Sequence, residues 1–233
     1  MEVKSNIQHI LFDLDNTLWD FAGNSERILK EIYTDMQLAS KGITDFHAFH
    51  KQYIFRNEAL WYKYAMGEVS RDDVRLNRFR YTLHDFGVDD YVLATQAADH
   101  YITHTRNQKQ LLPYAAELLQ YLQKKYTLHV ITNGFNEVQF FKLKNCGLDA
   151  FFDTVTTAET AQSLKPDAKI FQHALQQIPA APEHCLYIGD SPETDGQGAT
   201  GAGLQFIWFN PDGRENTYGF HEVKTLEEIE RIL

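Results

Sequence analysis

Four short runs of the chain, residues 8–13, 128–132, 185–189 and 204–209, each hold three or more apolar residues. Runs of that length, bounded by Gly, Pro, Asn and Asp, predict strands buried on both faces. Between the later runs the apolar positions recur at helical spacing. Leu118, Leu119 and Leu122 mark a helix over 114–125. Val138, Phe141 and Leu143 mark one over 137–146 that Gly147 stops, and Ile170, Phe171, Ala174 and Leu175 mark one over 168–177. Residues 153–156 and 220–223 read as short edge strands, and 226–233 as a last helix. Strands alternating with helices predict an α/β fold, a parallel sheet covered by helices on both faces.

The stretch from 21 to 107 has a different texture, with few strand-like runs and successive amphipathic patterns. Ile28, Ile32, Tyr33 and Met36 form one stripe, and Phe46, Phe49, Tyr53, Leu60 and Tyr64 a second that ends at Gly67. Ser70 followed by Arg71, Asp72 and Asp73 has the form of a capped helix start with acids in its first turn. Val74, Phe79, Leu83 and Phe86 continue that helix to Gly87, and 90–105 supplies a fourth. An all-helical four-helix bundle is therefore expected as an insert between the first and second core strands. The expected domains are 1–20 with 108–233 as the core, and 21–107 as the insert.

Composition narrows the function. The chain has 233 residues, 43% hydrophobic, with a formal net charge of −10. That is enough apolar material for a real core, and the wrong sign for binding a nucleic-acid polymer or an anionic membrane. A small anionic substrate stays open, because a divalent metal inverts the local field. Cys146 and Cys185 are the only cysteines, too few for a disulfide framework. Residues 1–6 lack a signal-peptide pattern and no apolar run is long enough to span a bilayer, so a cytoplasmic location is expected.

The chemistry gathers where predicted strands end. The first run closes on Asp13-Leu14-Asp15-Asn16-Thr17. In an extended chain residues two apart lie on one side, about 6–7 Å from each other. Two like charges that close call for a cation, a shared proton or a reaction. The second run closes on Thr132-Asn133-Gly134, a turn suited to cradling an anion, although Asn-Gly after a strand also serves as a plain turn. Lys165 precedes Pro166 just before the helix at 168, and a lysine is a compact point charge for phosphate or a surface cation. The third run closes on Gly189-Asp190-Ser191, with Glu193 and Asp195 soon after. Asp13 and Asp190 offer oxygen ligands to a hard cation such as Mg2+ if their strands are neighbours. Glu193 reads as part of a solvated acidic loop.

Taken in order, the acid pair, Thr-Asn-Gly, Lys-Pro and Gly-Asp-Ser with a later Asp resemble the haloacid dehalogenase superfamily across the whole core. The resemblance implies a Rossmann-like doubly wound core, with the helical insert as a first-class cap domain. It also implies Asp13 as nucleophile and Asp15 as general acid and base. By the same resemblance Mg2+ is held by Asp13, the Asp15 backbone carbonyl and Asp190, while Asp195 orients a metal water or Lys165. Phosphate would be bound by Thr132, the turn at Asn133 and Gly134, and Lys165. By the same resemblance, an acid at position 15 separates the chain from dehalogenases, which displace halide without protonating it, and favours phosphomonoester hydrolysis or phosphomutase chemistry, hydrolysis being the commoner of the two in the family.

Residues 59–68 with Arg78 and Phe79 resemble the cap of the pyrimidine 5′-nucleotidase branch. Those side chains would stack on a base or sugar, or simply pack the cap. The expected substrate is a small phosphomonoester, a nucleoside 5′-monophosphate first. Sugar phosphates, phosphoglycolate and flavin mononucleotide compete with it. A non-catalytic phosphate-binding regulator is the alternative of another class. The oligomeric state is not legible.

Overall fold

The computed structural model describes residues 6–233, so the first five residues, on which the reading of the N-terminus largely rests, lie outside it. The chain divides into two compact units, Met1–Phe21 with Lys109–Leu233, and Ala22–Gln108.

The larger unit is built on a six-stranded sheet. Its strands are β1 (His9–Phe12), β2 (Thr127–Thr132), β3 (Phe152–Thr157), β4 (Cys185–Gly189), β5 (Gln205–Phe209) and β6 (His221–Val223). They lie in the order β3-β2-β1-β4-β5-β6, every pair parallel. Four helices of the smaller unit come first in the chain: α1 (Phe21–Asp35), α2 (Phe46–Ala65), α3 (Arg71–Asp85) and α4 (Tyr91–Thr105). The larger unit then carries α5 (Ala115–Leu122), α6 (Asn136–Asn145), α7 (Ala158–Ala161), α8 (Ala168–Leu175), α9 (Gln197–Gly201) and α10 (Leu226–Ile232).

The apolar runs behave as buried strands should. Alternate residues of β1 face opposite sides, Ile10 and Phe12 packing with Leu118, Leu122 and Ile229, and Leu11 with Ile170, Phe171 and Ala199. Each face of the sheet thus has its own helical cover, and the doubly wound architecture follows. β1 is central, and the chain leaves it toward β2 and β3 before returning to its other side with β4. The carboxyl end of β1 is therefore the switch point where sheets of this type place their ligands.

The smaller unit is all-helical and buries its own core, with Ile28, Phe49, Tyr53, Phe79, Leu83 and Tyr101 in it. Ser70 and Asp73 form the expected reciprocal cap at the start of α3. Arg78 is buried, 4.5 Å from the Tyr101 ring centroid, and donates to Asn57. It packs inside its own unit, as does Phe79, while Tyr62 and Met66 near the end of α2 are exposed.

Some expectations differ in detail. α1 starts at Phe21, well before Ile28, the first residue of the apolar stripe. The segment around Glu193, read as a solvated loop, is a π-helical turn, Pro192–Gly196, running into α9. Among the described residues no helix is long and apolar enough to cross a membrane.

A buried polar ladder crosses three strands. His9 Nδ1 meets His129 Nε2 at 3.1 Å, and His129 Nδ1 meets Thr154 Oγ1 at 2.8 Å. Burial, then the neighbouring His9, pushes His129 down to about 4 from the ordinary 6.5, and burial lowers His9 as well. Below pH 6.5 the unfolded chain therefore takes up protons that the folded chain refuses, and stability falls as the pH drops toward 4. The slope is at most about 1.4 kcal/mol per pH unit for each group. Urea unfolding of wild type and His129→Gln at neutral pH and near pH 5 checks this. A smaller acid loss is expected in the variant, and an equal loss would contradict the assignment.

Candidate active site

The strand ends deliver three of the expected side chains to neighbouring places. Asp13 follows β1, Thr132 closes β2 and Asp190 follows β4, with β2 and β4 flanking β1. Asp13 is fixed by its own backbone, whose N–H donates to the Ile188 carbonyl at 2.9 Å. Beyond Asp13 the chain folds tightly back: Asn16 takes a left-handed conformation at φ 60°, and the Trp19 N–H reaches the Leu14 carbonyl.

Lys165 comes from the segment between α7 and α8. Its ammonium is nearly fully buried and donates to Asp13 Oδ1 at 2.5 Å, Asp195 Oδ1 at 2.6 Å and the Tyr187 hydroxyl at 3.0 Å. All three of its N–H bonds are thereby used. Asn133 sets the segment that carries it: its side chain accepts from the Lys165 N–H at 2.7 Å and donates to the Lys165 carbonyl at 3.1 Å. The amide of Asn133 thus acts on the chain itself. Asp195 is in turn held through Oδ2 by the Ser191 N–H. Gly189 makes room for it, since a Cβ there would lie 2.3 Å from Asp195 Oδ2.

Asp13, Asp190 and Asp195 offer carboxylate oxygens that lie within 4.8 Å of one another. One lysine stands against these three acids. Burial raises Asp13 to about 7, with Lys165 opposing and Asp195 adding to the rise. Burial also raises Asp190 well above the usual carboxylate range, followed by repulsion from Asp13 and Asp195. Burial works against a charged Lys165, but Asp13 and Asp195 outweigh it and hold the ammonium protonated above its ordinary value. The surplus negative charge and the all-oxygen donor set fit a hard divalent cation.

Asp15 has separate surroundings, which the sequence did not disclose. Lys142 Nζ donates to its Oδ1 at 2.6 Å and Gln139 Nε2 to its Oδ2 at 2.8 Å, both from α6. The Lys142 ammonium is buried and lies 4.0 Å from the Trp19 ring centroid. Gln139 also donates to Thr132 Oγ1 at 2.8 Å, which accepts the Gly134 N–H as well. Both bonds leave the Thr132 hydroxyl proton free to donate. Gly134 is required by proximity, because a Cβ would fall 1.8 Å from Gln139 Nε2.

The apolar stripe predicted for α6 is therefore corrected. Gln139 and Lys142 are buried, whereas Phe141, read as a core position, is 44% exposed beside Phe140. The polar pair turns inward because Asp15 offers it partners. Its one signal is that Gln139 and Lys142 stand three apart, on the same face as Val138 and Leu143. Tyr187 was hidden in the same way, as one more large residue in an apolar strand. Glu193 is exposed as expected, on the first turn after Ser191.

Residues 7–203 match the haloacid dehalogenase-like hydrolase family. The chain is 34% identical over 209 residues to the pyrimidine 5′-nucleotidase PynA of Streptococcus pneumoniae, covering 89% of this chain and 85% of that one. It is 29% identical over 231 residues to the pyrimidine 5′-nucleotidase YjjG of Escherichia coli, covering 96% of each. A crystal structure of the HAD-hydrolase YfnB from Bacillus subtilis, bound to magnesium, superposes with a TM-score of 0.89 at 30% identity over 98% of this chain and 99% of that one. Sheet order, strand-end acids and sequence agree: the chain is an enzyme of the haloacid dehalogenase-like hydrolase family.

Proposed function

We propose that the enzyme is a Mg2+-dependent phosphomonoester hydrolase working through an aspartyl-phosphate on Asp13, with nucleoside 5′-monophosphates as its substrates. The observation that carries the reading is the different housing of two acids only two residues apart. Asp13 sits against Lys165 among the acids at the switch point, while Asp15 is held by Gln139 and Lys142.

The division of labour follows. An Asp13 oxygen attacks phosphorus, the bond from phosphorus to the ester oxygen breaks, and Asp15 gives its proton to the departing alkoxide. Asp15 then takes a proton from water as that water attacks phosphorus, breaking the bond to Asp13 and releasing phosphate. The Thr132 hydroxyl and the Asn133–Gly134 turn bind phosphoryl oxygens where charge spreads in the transition state, and Lys165, held by Asp13, Asp195 and Tyr187, contributes its positive charge there. Asp195 and Tyr187 act through Lys165, and Asn133 through the segment that bears it.

Mg2+ would be held by Asp13, Asp190 and the Asp15 backbone carbonyl. Bound there, it supplies positive charge that offsets the acids and polarises a phosphoryl oxygen. The nucleotide specificity rests on the likeness to two pyrimidine 5′-nucleotidases. The enzyme acts on a small molecule, not on a nucleic-acid polymer or a membrane, and a cytoplasmic location suits such a substrate.

Three outcomes are expected. Asp13→Asn lowers p-nitrophenyl phosphate turnover by at least about 10³-fold. Chelation abolishes wild-type turnover and added Mg2+ restores it, while Asp190→Asn needs more Mg2+. Turnover surviving Asp13→Asn would overturn the mechanism, and phosphate binding without any turnover would favour a regulator.

Gly134→Ala and Lys142→Met both disturb Asp15. A fall in kcat of roughly 10–100-fold with little change in KM is expected, short of the 10²–10⁴ typical of general acid–base catalysis. Steady-state kinetics on folded variants checks this, and a change confined to KM would contradict it.

A panel of deoxyuridine and thymidine monophosphates, sugar phosphates and phosphoglycolate tests the substrate. The highest kcat/KM is expected on the nucleotides. A flat response would remove the nucleotide reading and leave the phosphatase.

A further inference from the structure

The helical unit holds a second cluster of potential ligands, unrelated to the catalytic acids. Glu31 lies on α1, and His100 and His104 are one turn apart on α4. One ligand atom from each falls within 4.8 Å of the other two. Glu31 Oε2 is 2.9 Å from His104 Nδ1 and 3.7 Å from His100 Nε2, and the two imidazoles stack with centroids 3.7 Å apart.

These distances can be set against what a metal needs. Two N or O ligands at about 2.0–2.2 Å from a tetrahedral ion stand roughly 3.3–3.5 Å from each other. The two spacings to Glu31 bracket that value, so small rotations of side chains would bring both imidazoles onto one ion. The pair already shares a helix face, because residues four apart are neighbours there. His100 Nε2 is buried and has no hydrogen-bond partner, and 3.7 Å to Glu31 is too long to supply one. A plain Glu–His hydrogen bond explains His104 and leaves this nitrogen unexplained.

Two further features favour a cation. All three residues are only partly buried, so an ion can enter from solvent. His104 lies in the last turn of α4, where the helix carbonyls favour positive charge. The donor set, two imidazoles and one carboxylate, is of borderline softness and unlike the all-oxygen set around Asp13.

We propose that Glu31, His100 and His104 form a transition-metal site, taking Zn2+ or a comparable divalent ion and linking α1 to α4 within the helical unit. Three protein ligands leave one position for water or an exogenous ligand. Mg2+ does not compete there, since it prefers octahedral oxygen ligation.

Calorimetric titration of the full chain with Zn2+ in excess Mg2+ tests the proposal, with Co2+ absorption as an independent readout. One saturable equivalent is expected, unchanged in Asp190→Asn. His100→Gln, His104→Gln and Glu31→Gln should each weaken it by more than about tenfold, since even groups that only support metal ligands cost 10–100-fold. Mg2+-dependent turnover should persist in all three, which shows that they fold. Absence of saturable binding would overturn the proposal. So would binding unchanged in the His100→Gln, His104→Gln double variant, or lost in Asp190→Asn.

Discussion

Lys165 is a full positive charge placed where water scarcely reaches, and the architecture of the switch point follows from keeping it paired. A buried ammonium is costly unless every N–H finds an acceptor and its charge finds a partner. Asp13, Asp195 and Tyr187 meet that demand together, one from the end of β1 and two from β4 and the turn after it. Gly189 leaves the space that Asp195 occupies, and Asn133 grips the backbone of Lys165 from the end of β2. One lysine therefore ties the ends of β1, β2 and β4 into one constellation. The remaining negative charge, centred on Asp13 and Asp190, is what a cation would offset.

The second acid shows how differently two neighbouring carboxylates can be housed. Asp15 differs from Asp13 by two positions in the chain, yet its partners come from α6 rather than from the segment before α8. Gln139 touches both Asp15 and Thr132, so the orientation of one acid is coupled to a hydroxyl on the neighbouring strand. Groups that must exchange protons with a leaving oxygen gain from such fixed placement, because a small misalignment is expensive in rate.

Much of this was legible from the residues. Short, mainly apolar runs located the central strands, because strands buried on both faces leave little room for polar residues, and the helical periodicity located the four-helix insert. The acids at 13, 15 and 190 and the lysine at 165 stood out because charge at the end of a buried strand, or beside a proline, interrupts a strong pattern. Gln139, Lys142 and Tyr187 did not stand out. Their meaning depends on partners more than twenty residues away, and each is an ordinary residue for its local element. Phe141 misled for the same reason: local hydrophobicity assigned it inward, and the tertiary demand of Asp15 turned the helix the other way. The helical turn after Ser191 escaped notice because a proline and several acids usually read as loop.

The central claim is that Asp13, and not Asp15, carries the phosphoryl group. Rapid acid quench during turnover of a phosphomonoester, followed by peptide mapping by mass spectrometry, reads this directly. The expected result is an acid-stable, alkali-labile phosphoryl group on the peptide containing Asp13, assigned to that residue by fragmentation and absent from Asp13→Asn. A phosphoryl group on Asp15, or none on either residue while substrate is rapidly consumed, would contradict the account.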